Sequence, residues 1–241
     1  MFVSLYLNMI IESDSKNNRC IDCLDKSCAT EKLGKNELEL IASNRYISEI
    51  SKKTNILNSG SPTSHIIYLR SGLVKEFLLK SDNKEQIIQI ILPHSYLGLT
   101  SLFGDKINHY SYSALTDLKV CYIDIDVFTQ LIKDNGNFAF EILSSVGRES
   151  LYNFHRFIAQ SNKKIYGRIA DMLIYFSRVV FSSTKFQIPL TRREVADMVG
   201  TSRESTGRVL AKFNNEGIIK ISGKKVVIND LKKLEKISRF G

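Results

Sequence analysis

Residues 190–213 read LTRREVADMVGTSRESTGRVLAKF and hold Thr-x-x-Glu twice, at Thr191–Glu194 and at Thr201–Glu204. In this pattern the threonine hydroxyl accepts from the backbone N–H three residues on. The glutamate carboxylate reaches back to the threonine N–H, so two donors that a helix start leaves unpaired are satisfied together. The spacing predicts a first helix with Val195, Met198 and Val199 turned inward, a sharp turn at Gly200, and a second helix at once. That is helix-turn-helix spacing.

On the second helix Thr206, Val209, Leu210 and Phe213 fall at i, i+3, i+4 and i+7, which assigns them to the core. Arg203, Glu204, Gly207, Arg208 and Ala211 share the opposite face. Two arginines, one carboxylate and two residues too small to obstruct suit the DNA major groove. There an arginine fork pairs with guanine and a carboxylate accepts from cytosine, each good contact giving roughly 1–3 kcal/mol of discrimination. Thr201, Ser202 and Arg192 flank this face and are counted with it. Downstream, GIIKISGKKVVIND (217–230) reads as two strands around a Ser-Gly turn, with Lys224 and Lys225 as a basic wing for phosphates.

Charge follows the same division. Of a formal net charge of +9, residues 185–241 carry 13 Lys/Arg against 6 Asp/Glu, so most of the excess sits at one end of the 241-residue chain. Such asymmetry suits a polyanion. The opening MFVSLYLNMII is apolar but far too short for a bilayer span and has no basic flank or cleavage site. The reading is a cytoplasmic protein with no membrane partner, whose start could equally be Met9.

Upstream, HIIYLRSGLVKEFLL, EQIIQIILP, YSYSAL and LKVCYIDI are β-type runs broken by Gly60, Gly72, Ser81-Asp82-Asn83, Pro93 and Gly104. Short strands at this spacing suggest a small antiparallel barrel or roll. From about Asp126 the period becomes helical: Phe138, Ile142, Leu143, Val146, Leu151, Phe154, Phe157 and Ile158 cover more than one stripe of a long helix. A helix apolar on two sides needs two partners, its own roll and the same helix of a second subunit, which makes a homodimer the natural reading. A second helix, YGRIADMLIYFSRVVF, leads through Pro189 to the opening stretch.

The expected organisation is therefore α+β: a cysteine-bearing lead-in over 1–35, an antiparallel β-roll over 36–127, a dimerisation helix over 128–161 and a winged helix-turn-helix over 162–241. This order resembles the cyclic-AMP receptor protein and fumarate-nitrate regulator (Crp/Fnr) superfamily of bacterial transcription regulators, whose roll is cyclic-nucleotide-binding-like and similar to a cupin jelly roll. TRREVADMVGTSRESTGRVL is similar to the family's DNA-binding signature almost position for position. The resemblance implies a non-enzymatic regulator in which Arg203, Glu204 and Arg208 read bases. It further implies TGTGA-like palindromic half-sites one helical turn apart, and RNA polymerase as a partner, touched by the loop near KSDNKEQ.

Members that bind cyclic nucleotide carry a Gly-Glu pair and an Arg-Ser-Ala run. The matching segments here, LGLTSLF and HYSYSA, lack both charges, so cyclic AMP is not expected. Pro93-His94-Ser95 also stands where the family has Pro-Gly.

CIDCLDKSC places Cys20, Cys23 and Cys28 within nine residues, and Cys121 is the fourth cysteine. Several convergent thiolates can hold an iron-sulfur cube or a zinc ion. The oxygen-sensing branch of the family uses three N-terminal cysteines and one in the roll for a [4Fe–4S] cluster, with five residues between the second and third; this chain has four. Cluster, zinc and no metal stay open, and with them oxygen, nitric oxide, haem or a small ligand as effector. His65, His94, His109 and His155 raise the alternative of a cupin-type metalloenzyme with an appended DNA-binding module, although the close His-x-His pair of that class is absent.

Overall fold

The computed structural model describes residues 20–80 and 84–241. The Met1 and Met9 alternatives lie outside them, as does Ser81-Asp82-Asn83, the middle of the KSDNKEQ segment expected to touch polymerase.

Short 3-10 turns at Cys20–Asp22 and Thr30–Lys32 lead into helix α1 (Lys35–Ser43). Eight strands follow: β1 (Arg45–Ile50), β2 (Asn55–Leu57), β3 (His65–Ser71), β4 (Val74–Leu79), β5 (Glu85–Ile91), β6 (Ser95–Leu97), then helix α2 (Leu99–Phe103), β7 (Ser111–Ala114) and β8 (Leu118–Asp124). They form two antiparallel four-stranded sheets, ordered β1-β8-β3-β6 and β2-β7-β4-β5. Because side chains alternate along a strand, each sheet has an inner and an outer face. Ile67, Leu69, Val74, Leu97, Tyr112, Leu118 and Val120 fill the space between the sheets.

The outer faces are used differently. Ile66, Tyr68, Cys121 and Ile123 pack under the lead-in, α1 and the helices that follow the roll. Phe77, Ile87, Ile90 and Leu115 instead join one continuous core with the C-terminal domain.

Helix α3 (Ile125–Asp134) and helix α4 (Gly136–Asn162) replace the single helix expected from residue 128. The break is chemical. Asp124 caps α3 by accepting from the Asp126 and Val127 amides; Asn135, in extended conformation, accepts from Phe138 N and opens a fresh helix. Phe138 and Ile142 of α4 are fully buried against the roll. On its other side Phe140, Leu143, Leu151, Phe154 and Phe157 are 60–68% exposed. The two-stripe reading of this helix is what the single chain displays.

Helix α5 (Ile165–Tyr175) passes into a π-type turn at Phe176–Val180. Strand β9 (Lys185–Gln187), helix α6 (Arg192–Val199), helix α7 (Arg203–Asn215), strands β10 (Ile219–Ser222) and β11 (Lys225–Ile228) and helix α8 (Leu231–Phe240) complete the chain. The wing is a three-stranded sheet, β10-β11-β9. Among the described residues no helix is long and apolar enough to cross a membrane.

Candidate nucleic-acid interface and sensor surfaces

The first Thr-x-x-Glu is a complete capping box: Thr191 Oγ1 accepts from Glu194 N at 3.2 Å and Glu194 Oε2 accepts from Thr191 N at 2.7 Å. The second is not, contrary to the sequence expectation. Gly200 takes the left-handed conformation (φ 71°) that ends α6, and the next amide, Thr201 N, donates to Ala196 O at 3.0 Å. That closing turn occupies the donor a Glu204 carboxylate would need. The cap shifts by one residue, and Ser202 Oγ accepts from Ser205 N at 3.1 Å.

With this start, α7 buries Thr206, Val209, Leu210 and Phe213 as expected. Ser202, Arg203, Glu204, Gly207, Arg208 and Ala211 are exposed. Arg208 Nη2 donates to Ser205 Oγ at 3.1 Å, which steadies the guanidinium beside the helix. Glu204 is held below the usual carboxylate range by its own amide and the Ser202 hydroxyl, so it is an ionised acceptor. Lys224 occupies the tip of the β10–β11 turn, and Lys225 opens β11; both are exposed. Arg192 has a different place from the one expected: it is half-buried, and its Nη2 donates to Gly223 O at 2.7 Å, tying the wing turn to the first turn of α6.

Beneath this surface the C-terminal domain is docked on the roll through residues that the sequence analysis did not single out. Lys75, on the outer side of β4, is almost wholly buried between Glu85 (2.5 Å) and Glu194 (2.8 Å). Burial works against its charge, but the two carboxylates outweigh it and raise the lysine pKa. Gln86 Nε2 donates to Asp197 O at 3.0 Å, and Tyr175 Oη to Ile90 O at 3.0 Å.

The neighbouring residue faces the other way. Glu76 is 1% exposed inside the roll, accepting from Tyr112 Oη at 2.8 Å and Gln89 Nε2 at 2.7 Å. The same Gln89 amide donates to Glu149 of α4 at 2.9 Å. Burial, reinforced by the Glu149 charge, pushes Glu76 up to about 7. The signal was present in VKEFLL, where an acid stands at an inward position of a strand.

At the amino end, Cys20, Cys23 and Cys121 line one small cavity of about 40 Å³ with Arg45, Arg70 and Tyr68, room for a few waters. Arg45 Nε donates to Cys20 Sγ at 2.9 Å. Arg70 binds Asp25, and Tyr68 Oη donates to Asp25 O at 2.5 Å, so the cysteine loop is pinned to the outer face of the roll. Burial pushes the Cys121 thiol up to about 11.

Cys28 is exposed and not on the cavity. Among the described residues no three Cys, His, Asp or Glu side chains could hold one metal ion together. Cys20, Cys23 and Cys121 share the cavity, and in this arrangement Cys28 does not join them. The histidines are likewise dispersed: His65 stacks edge-on with Tyr46 and Tyr122, His94 meets Tyr68 Oη, and His109 pairs with Asp105.

Comparison with known proteins bears on both halves. Residues 47–135 match the model of the cyclic nucleotide-binding domain, and residues 167–237 match the Crp-like helix-turn-helix domain. The chain belongs to the Crp/Fnr superfamily. Relatives in this superfamily include the anaerobic regulatory protein of Pasteurella multocida, 23% identical over 99% of this chain and 89% of that one. They also include the cAMP-activated global transcriptional regulator CRP of the same organism, 26% identical over 79% and 93%. The solved structure of FixK2 from Bradyrhizobium japonicum superposes with a TM-score of 0.74 at 20% identity, covering 80% of this chain and 96% of that one. A putative Crp/Fnr-family regulator from Eubacterium rectale gives 0.72 at 20% identity, over 87% and 96%. Those two likenesses concern the fold, and its α+β layout of roll, long helix and winged helix-turn-helix is the superfamily's.

Proposed function

We propose that this Crp/Fnr chain works as a homodimeric, cytoplasmic, sequence-specific transcription regulator that reads palindromic DNA with the Arg203, Glu204 and Arg208 face of α7. The observation that carries the reading is the exposed Ser202–Ala211 surface on a helix whose other side is wholly buried. Ser202 and Thr201 lie at its approach to the backbone, and Lys224 and Lys225 reach phosphates. Binding to TGTGA-like half-sites one helical turn apart, measured against scrambled duplex at equal salt, tests it. A preference of at least about a thousandfold is expected. Equal binding to both duplexes would reduce the protein to a general nucleic-acid binder. RNA polymerase is the second expected partner.

The exposed apolar stripe of α4 supports self-association. Phe140, Leu143, Leu151, Phe154 and Ile158 run along one side of the helix. Between them lies Gly147, where an added Cβ would meet nothing within 4 Å. A mid-helix glycine costs about 1 kcal/mol relative to alanine; in a dimer it lets two backbones approach.

For the effector, LGLTSLF and HYSYSA lack the glutamate and the arginine that cyclic-nucleotide binders carry, which argues against cyclic AMP. A redox or nitric-oxide response at Cys20, Cys23, Cys28 and Cys121 is the reading favoured by the cysteine layout. Its sharpest form, an iron-sulfur cluster, requires Cys28 to turn onto the cavity. Iron and sulfide analysis of anaerobically purified protein decides this: equal amounts of both support it, and an iron-free, colourless protein removes it.

A further inference from the structure

A cavity of about 720 Å³, well within the range of small-molecule sites, opens where the end of α4, helix α5, the end of α6 and the end of α8 meet. It is separate from the roll interior and from the cysteine cavity. Five cationic side chains line it against two carboxylates, those of Asp171 and of the last residue, Gly241. Asp171 is already engaged by Lys163 at 2.7 Å. Arg156, Lys164, Arg168 and Arg239 have no carboxylate partner among the described residues and share the space. The buried Arg168 Nε has no hydrogen-bond acceptor, a cost that an anion in the cavity would relieve. The rest of the wall is apolar, with Ile158, Met172 and Val199, and partly aromatic, with Tyr152 and Tyr175, ring centres 5.6 Å apart, and Phe240.

We propose that this hinge cavity is a binding site for a nucleotide, with the phosphates held by Arg156, Arg168 and Arg239 and the base set against the aromatic wall. Guanidinium forks match phosphate oxygens in bidentate pairs, which is why arginine rather than lysine dominates such sites. Flat rings of Tyr and Phe supply stacking surface for a heterocycle. An inorganic anion would leave most of the volume unused, and an uncharged nucleoside would leave the cations uncompensated.

The site sits where occupancy can be felt. Arg156 Nη2 donates to Met198 O at 2.8 Å, in the last turn of α6, and Arg168 Nη1 to Gly200 O at 3.3 Å, in the turn that separates α6 from α7. A phosphate that draws these guanidinium groups inward competes with those carbonyls and shifts the turn that aims α7. This consequence for DNA rests on the function proposed above; binding of the nucleotide does not.

Calorimetric titration of the full chain, without DNA, with ADP, pyrophosphate and adenosine tests the site. ADP should bind more tightly than pyrophosphate and far more tightly than adenosine, and its affinity should fall with added salt. Arg239→Gln, at an exposed position of α8, should weaken ADP at least tenfold while leaving the melting temperature unchanged. Arg168→Gln should do the same with some loss of stability, and Lys224→Ala, on the wing, should leave ADP affinity as it was. Absence of ADP binding would overturn the proposal. So would binding that ignores Arg239→Gln but disappears with Lys224→Ala, since the nucleotide would then be sitting on the duplex-facing surface. A cavity closed by the second copy of the chain would appear as no ADP binding together with a weaker dimer in Arg239→Gln, and that result also overturns it.

Discussion

Lys75 Nζ lies 2.8 Å from Glu194 Oε1, and the other oxygen of that carboxylate accepts from Thr191 N at 2.7 Å. One glutamate therefore caps the first helix of the DNA-binding motif and fastens it to the roll. Removing Lys75 leaves Glu85 and Glu194 facing each other, and breaking a buried pair costs on the order of 3–5 kcal/mol at its upper limit. Lys75→Met should lower urea stability by about 1–3 kcal/mol. A double-mutant cycle with Glu194→Gln should return at least ~1 kcal/mol of coupling. Additive effects would show that the contact is idle.

Glu76 gives the stability a pH dependence of defined sign. Its native pKa, about 7, lies above the ordinary carboxylate value, so the folded state holds a proton that the unfolded chain has released. Stability then falls as pH rises from about 4.5 to about 7, by roughly 3 kcal/mol at most. The groups that face it are Tyr112 on β7, Gln89 on β5, Glu149 on α4 and, farther off, Tyr110. Denaturation midpoints measured across this window should slope downward in the native chain and flatten in Glu76→Gln.

The displaced cap makes a sharp contrast between neighbours. Ser202→Ala should cost about 1 kcal/mol, as loss of an N-cap does, whereas Thr201→Ala should cost only a few tenths. Thr191→Ala should resemble Ser202→Ala. Thermal unfolding of the three variants checks the order.

If α4 pairs with its copy, a charge in the exposed stripe should separate the subunits without disturbing either one. Phe154→Glu and Leu143→Glu are each expected to weaken the dimer at least a hundredfold by sedimentation while the circular-dichroism spectrum stays native. A dimer indifferent to both would place the interface elsewhere.

Base reading and backbone binding should also come apart. Arg203→Ala should relax preference at one base pair at a cost of roughly 1–3 kcal/mol, and Lys224→Ala should weaken all sequences and reduce the salt slope by about one. Arg192→Ala is expected to act on the wing's order instead, because its guanidinium is spent on Gly223 O.

Much of this architecture could be read from residue order. The capping box at Thr191, the Gly200 turn, the buried stripe of α7 and the two-sided α4 are all local periodicities, and local physics decided them. Strands β2, β6 and β9 escaped notice because three residues, as in Asn55–Leu57 and Lys185–Gln187, are too few to show alternation, and β1 (RYISEI) did so because no buried face alternates along it. Thr201 failed as a cap because its amide was claimed by a carbonyl five residues back, a competition that the motif alone does not reveal. His94, placed where the superfamily has glycine, simply takes the left-handed conformation (φ 67°). Lys75 and Glu76 were invisible as a pair: alternation sends one to the C-terminal domain, where it meets Glu194, and the other into the roll, where it meets Gln89 and Tyr112 of other strands. The cysteine spacing suggested four equal ligands, yet the fold turns Cys28 outward.

Gly147 has a mechanical consequence. In the proposed dimer the notch it leaves is the natural crossing point of the two long helices, and fifteen residues separate it from Asn162, the last residue of the rod. At 1.5 Å per residue that is a lever of about 22 Å. A change of about five degrees at the fulcrum would then sweep each far end through about 2 Å, enough to bring two reading heads into or out of step with successive turns of a duplex.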